Sequence, residues 1–226
     1  MTHTSSVDTR FSFRLAGWSG IISGTLGFLA IAALLTAVFT RTTWEISKEI
    51  WFLFNVHIVT SIFQFLLLIP LVIGIHRYSQ KQSASIGRTT LQTGIIFISF
   101  TILFHLLYFP KFMSDEYYMI PQGMFGVWLI AINIRLKNIF SRGLRWFGII
   151  VGFGLSLVGL YAIGFALFVD STGFQIPAPD FETLKDPGET TANIIVHLIL
   201  DIGSFIGVLP FPLWTIIMGR KLLREK

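Results

Sequence analysis

Long apolar runs separated by short polar segments divide the sequence into six predicted helices. The runs cover residues 15–40, 50–75, 89–109, 117–134, 144–169 and 193–219. A helix needs roughly 20 predominantly apolar residues to cross a bilayer. The pattern therefore predicts an all-α fold: a polytopic integral membrane bundle with six transmembrane helices.

Composition agrees with this prediction and leaves no room for a separate soluble domain. Of the 226 residues 53% are hydrophobic and 13% are charged, and the mean hydropathy is +0.72. A soluble domain has roughly a quarter of its residues charged. We therefore expect a single transmembrane domain over residues 1–226.

The charges alternate from one polar segment to the next. The N-terminus, residues 76–88, residues 135–145 and the C-terminal tail hold 13 of the 17 basic residues. Residues 41–49, 110–116 and 170–192 hold nine of the twelve acidic ones. Because basic loops stay in the cytoplasm, the bias predicts an inner- or plasma-membrane protein with both termini cytoplasmic. It also predicts that residues 170–192 form an extracytoplasmic loop, which its prolines make irregular.

The sequence lacks the residues or motifs that several classes of protein chemistry require. Cysteine is absent, so thiolate metal sites, iron–sulfur clusters and a cysteine nucleophile are excluded. Neither a G-x-S-x-G motif nor a P-loop occurs. The net charge of +5 is the kind of excess that topology produces in a membrane protein, so nucleic acid is not expected as a partner. An enzyme is less expected than a non-enzymatic protein.

The second and sixth runs share a series of marks at one spacing. Val56-His57 matches Val196-His197 at an offset of 140 residues. Ser61, Gln64 and Pro70 match Asp201, Ser204 and Pro210 at the same offset. The pattern suggests a parallel internal repeat of the first and last helix pairs, whose copies would be related by an axis along the membrane normal.

Small residues four apart occur in the first helix of each predicted copy. Gly20 and Gly24 form one pair, and Gly148 and Gly152 form the other. Such pairs let helix backbones approach closely, and we expect them to pack within the chain.

Polar side chains form a stripe on one face of the second and sixth helices. On the second helix the stripe holds His57, Ser61 and Gln64, and on the sixth it holds His197, Asp201 and Ser204. His105 falls at a similar depth in the third helix. These groups are predicted to meet in the outer half of the bundle, where ionisable residues are costly unless they face protein or water.

Three roles are open for this polar patch. It can supply hydrogen bonds between helices. It can also form a ligand site, or a path for a proton, an ion or a small molecule, with His197 and Asp201 as the titrating pair. A third role is haem ligation by His57 and His197, or metal binding by His57, His105, His197 and Asp201.

The favoured function is a non-enzymatic binding, transport or accessory-subunit role that uses the patch. The expected partners are the lipid bilayer and other membrane subunits or a second copy of the chain. The alternative is a haem- or metal-binding membrane protein with redox or hydrolytic activity.

Two segments carry a family resemblance, residues 68–97 and 126–154. Each reads as a helix end, a short basic loop and a glycine-bearing helix start. In this the chain resembles the uncharacterised bacterial membrane proteins with six or seven helices. The resemblance implies a multi-pass helical fold and no particular activity.

Overall fold

The computed structural model describes residues 5–40, 48–82, 86–108, 116–170, 176 and 190–224. Within these ranges the regular secondary structure is helical. Its elements are α1 (Ser5–Thr40), α2 (Lys48–Lys81), α3 (Arg88–Tyr108), α4 (Glu116–Arg135), α5 (Arg142–Phe168), α6 (Thr191–Gly203), a π-helix (Ser204–Val208) and α7 (Phe211–Arg224). The all-helical prediction is confirmed. Most of the predicted loop over 170–192 lies outside the described residues.

Five stretches are long and apolar enough to cross a membrane. They are Ser12–Thr40, Lys48–Lys81, Arg88–Tyr108, Arg142–Phe168 and Thr191–Arg224. The helix α4 is not among them. The structure therefore supports a helical bundle with five candidate spans. The predicted crossing over residues 117–134, which corresponds to α4, gets no independent support from its apolar character.

Several helix boundaries differ from the prediction: α1 begins at Ser5, ten residues before its predicted start, and α7 continues to Arg224, five residues beyond the predicted end. Helix α2 continues to Lys81, although its predicted end was at residue 75. The extra turns hold Tyr78 and Ser79, which are buried, and the Tyr78 ring packs edge-on against Phe13 at 6.4 Å. Burial of apolar surface thus extends the helix into the basic segment.

The last apolar run is divided where a single helix was predicted. The amide N–H of Leu209 donates to the carbonyl of Ser204 at 2.9 Å, five residues earlier. Pro210 has no N–H, and the ring of a proline crowds the carbonyl four residues before it. The wider π turn before Pro210 accommodates this break, and α7 starts directly after it.

The chain forms two compact units. The first comprises residues 1–95 and 211–226, and in it α1 packs against both α2 and α7. A Cβ on Gly20 would lie 3.0 Å from the Cα of Gly219, and one on Gly24 would lie 2.6 Å from Thr215 Oγ1. These two glycines therefore pack within the chain, as predicted.

The second unit comprises residues 96–210, and in it α5 packs against α4, α6 and the π-helix. A Cβ on Gly152 would lie 2.7 Å from the carbonyl oxygen of Gly126 in α4. Gly148 is in direct contact with the side chain of Asn133, also in α4. The second glycine pair thus also packs within the chain, as predicted.

Candidate functional site

The polar stripe of α2 lies along helix α1. The Nδ1 atom of His57 is 3.0 Å from the carbonyl oxygen of Ala30. Ser23 of α1 donates its hydroxyl to the backbone carbonyl of Gln64 at 3.0 Å. Ser61 and Gln64 are buried, and a Cβ on Gly27 would lie 2.6 Å from Gln64 Nε2. The stripe therefore takes part in the packing of α1 against α2.

His105 occupies a buried position in the second unit. Its Nδ1 atom lies 2.8 Å from the carbonyl oxygen of Thr101, one turn earlier in α3. Its ring lies 4.0 Å from the ring of Tyr118 in α4, at an interplanar angle of 31°. These contacts join α3 to α4.

The polar positions of α6 have different surroundings. His197 and Asp201 are both exposed at the surface of the chain. The His197 ring leans on α5, with its centroid 5.6 Å from Tyr161 and 6.2 Å from Phe165. Asp201 lies one turn further along the helix. Ser204, where the π-helix begins, is half-buried.

The burial pattern of α6 explains this exposure. Its side toward α5 carries Val196 and Gly203, the buried residues of the helix. A Cβ on Gly203 would lie 2.9 Å from the carbonyl oxygen of Gly154 in α5. Asp201 follows Val196 by five residues, which is about 140° around a helix with 3.6 residues per turn. The local fold therefore directs this carboxylate away from α5.

The surroundings of the predicted site residues thus differ between the two helices. His57, Ser61 and Gln64 belong to the packed side of α2, whereas His197 and Asp201 belong to the outer side of α6. The meeting of these two sets at one site stays a prediction.

Metal or haem ligation also stays a prediction. Among the described residues, no group of three or more His, Asp or Glu side chains could hold a metal ion. Nδ1 of both His57 and His105 lies within hydrogen-bond distance of a carbonyl oxygen, so this nitrogen is already engaged in each ring.

Sequence reasoning missed the apolar residues that share the outer face of α6. Ile194, Leu198 and Phe205 are all exposed. With Asp201 they follow the spacing i, i+4, i+7 and i+11. That spacing is present in the sequence, but apolar residues also occupy other faces of the same helix, so the sequence alone does not single it out.

Comparison with known proteins gives no match to a family model, a curated protein or a solved structure. The class that the fold defines is therefore a helical bundle whose long apolar helices are compatible with a membrane protein.

Proposed function

We propose that this chain is an inner- or plasma-membrane protein that crosses the bilayer six times and has both termini in the cytoplasm. Five helices of sufficient length and apolar character support the proposal. The alternation of basic and acidic segments supports the orientation, because it follows the positive-inside rule at every gap.

The remaining crossing would be α4. Its 20 residues extend about 30 Å, the thickness of the hydrocarbon core. Its lower apolar character follows from the polar side chains Gln122 and Asn133, which are both buried. Because these groups are withdrawn from the surface, they need not face lipid.

We also propose that the first and last pairs of crossings form a parallel internal repeat whose copies have diverged. The shared Val-His, polar and proline positions of α2 and the last run support common origin. The surroundings of the matched histidines support divergence, since His57 bonds to Ala30 in α1 and His197 is exposed.

Within this membrane protein we propose a binding or accessory-subunit role, carried by the outer face of α6. The supporting observation is the exposed carboxylate of Asp201 on a helix apolar enough to span the bilayer. An acidic side chain in the middle of a membrane helix costs about 3 kcal/mol, so such residues face protein or water. A neighbouring membrane protein that covers Asp201 would remove this cost.

The bonding of the α2 stripe favours binding over a conduction path through the chain. Ser23 is hydrogen-bonded to the Gln64 carbonyl, and His57 Nδ1 lies within hydrogen-bond distance of the Ala30 carbonyl. Thr60 donates to the carbonyl of Val56 in its own helix at 2.6 Å. His57 and the backbone of Gln64 are therefore engaged with α1, and Thr60 bonds within α2. Asp201, in contrast, is exposed on α6.

The test is the size of the assembly that the chain forms in its native membrane. After gentle solubilisation, native electrophoresis should show the wild type in a complex larger than one chain. Asp201→Leu should reduce it to the single-chain size. Thr25→Val is the matched control, because Thr25 is also an exposed polar residue of a span but bonds to its own helix at Ile21. A complex unaffected by Asp201→Leu would contradict the proposed role.

A further inference from the structure

The outer face of α6 has the spacing of a helix-pairing seam. Ile194, Leu198, Asp201 and Phe205 follow one another at intervals of four, three and four residues, and all four are exposed. Side chains at this spacing fall on one stripe of a helix and interdigitate with the same stripe of a second helix. Over eleven residues the stripe is about 17 Å long, or three turns.

The seam is free of the contacts that hold α6 to its own unit. Those contacts use Val196 and Gly203 on the side toward α5, Ile199 and Leu200 beside them, and the His197 ring at the flank. Phe205, which continues the seam into the π-helix, is 73% exposed. A second helix can therefore lie along this stripe without displacing α5.

We propose that the seam pairs with the same seam of a second copy of this chain. The inference rests on the proposed function, and it names the partner. Two copies in one membrane have the same orientation, so a two-fold axis along the membrane normal brings equivalent residues to equal depth. The carboxyl group of Asp201 then lies beside its equivalent, within reach of the polar side chains of the opposite helix.

The chemistry of the face favours a second copy over a partner with a lysine or arginine. A basic partner would pair with Asp201 alone and would make no use of the His197 nitrogens, whose ring rests on Tyr161 and Phe165 of α5. A second copy supplies an imidazole and a carboxyl group from each side. His197 lies one turn before Asp201 at the flank of the seam, so each imidazole can donate a hydrogen bond to the opposite carboxylate. The face is therefore complementary to itself.

The absence of cysteine from the sequence allows a direct test with single-cysteine variants. The purified full-length chain would be reconstituted without other proteins in phosphatidylcholine vesicles at low protein density, and then oxidised with copper phenanthroline. Leu198→Cys tests the seam. Leu160→Cys is the matched control, because Leu160 of α5 has the same exposure as Leu198, 56% against 55%.

We expect at least five times more disulfide-linked dimer for Leu198→Cys than for Leu160→Cys. Adding Asp201→Leu should reduce the Leu198→Cys yield to the control level, whereas Asp201→Asn, which can still hydrogen-bond to its equivalent, should retain most of it. Equal yields at residues 198 and 160 would overturn the proposal, and this comparison needs no change at Asp201.

The outcome separates this inference from the proposed function. If the native complex depends on Asp201 but the purified chain gives no excess of dimer at residue 198, the partner is a different membrane protein. The second-copy inference then fails and the binding role stands. If neither result is obtained, both fail.

Discussion

The crossing of α5 and the π-helix predicts opposite effects for two glycine-to-alanine substitutions in one helix. A Cβ on Gly154 would lie 2.5 Å from the Cα of Gly207 and 2.7 Å from the backbone carbon of Ile206. Carbon atoms in contact are normally about 3.5–4.0 Å apart. Gly154→Ala therefore overlaps backbone by about 1 Å, and no side chain can rotate away to relieve the overlap.

The size of the effect follows from two opposing contributions. Overpacking costs about 1–3 kcal/mol, and contact with backbone places Gly154→Ala at the upper end of that range. Replacing glycine by alanine within a helix returns about 1 kcal/mol. The expected net loss is about 2 kcal/mol of unfolding free energy.

Gly164→Ala is the matched control. A Cβ on Gly164 would lie 3.5 Å from Val196 Cγ2, an ordinary contact. This variant keeps the gain in helix propensity without the overlap, so we expect a stabilisation of about 1 kcal/mol. The two variants should thus differ by about 3 kcal/mol in unfolding free energy. Denaturation in mixed micelles, followed by tryptophan fluorescence, measures that difference. Equal stability of the two variants would refute the tight crossing of α5 and the π-helix.

Three further predictions concern topology, helix capping and the haem alternative. Cysteines placed at Gly87 and Gly143, where a side chain meets no atom within 4 Å, should react with an impermeant maleimide only after cells are permeabilised, whereas Ile176→Cys should react in intact cells. Labelling of Gly143→Cys in intact cells would contradict the orientation. Thr190 caps the start of α6, since its hydroxyl accepts a hydrogen bond from the N–H of Asn193 at 3.2 Å. Thr190→Ala should therefore lower the unfolding free energy by about 1 kcal/mol. An unchanged unfolding free energy would show that this cap does not stabilise the protein. The purified protein should show no Soret band in its visible spectrum, and a band that His197→Ala abolishes would favour haem ligation instead.

The sequence predicted the helices well because each is an apolar run between polar segments. It misplaced the end of α2 because a basic segment marks the edge of the apolar run and not the end of the helix. Burial of Tyr78 against Phe13 depends on a distant part of the chain, which hydropathy does not record.

The division of the last run was also beyond sequence reasoning. A proline disturbs the helix that contains it, but the π-helix before Pro210 is accompanied by the approach of Gly207 to Gly154. That approach is a tertiary contact between residues more than fifty positions apart, and no local pattern specifies it.

The candidate site shows the same limit. The shared spacing in α2 and α6 predicted two polar stripes, yet periodicity gives only the face of a helix and not what that face meets. The stripe of α2 lies against α1, where His57 meets the Ala30 carbonyl. His197 rests on Tyr161 at the edge of α5, and Asp201 faces outward.

The proposed role depends on Asp201 being used between chains and not within one. The direct measurement is the unfolding free energy of the isolated chain, dispersed at one chain per micelle, for Asp201→Leu and Ser23→Ala. Ser23→Ala removes the buried hydrogen bond to the Gln64 carbonyl and should cost about 1 kcal/mol. Asp201→Leu should cost nothing or stabilise the chain, because it replaces an exposed carboxylate on an apolar helix. If Asp201→Leu destabilises the isolated chain as much as Ser23→Ala, then the carboxylate serves the chain's own fold and the account is contradicted.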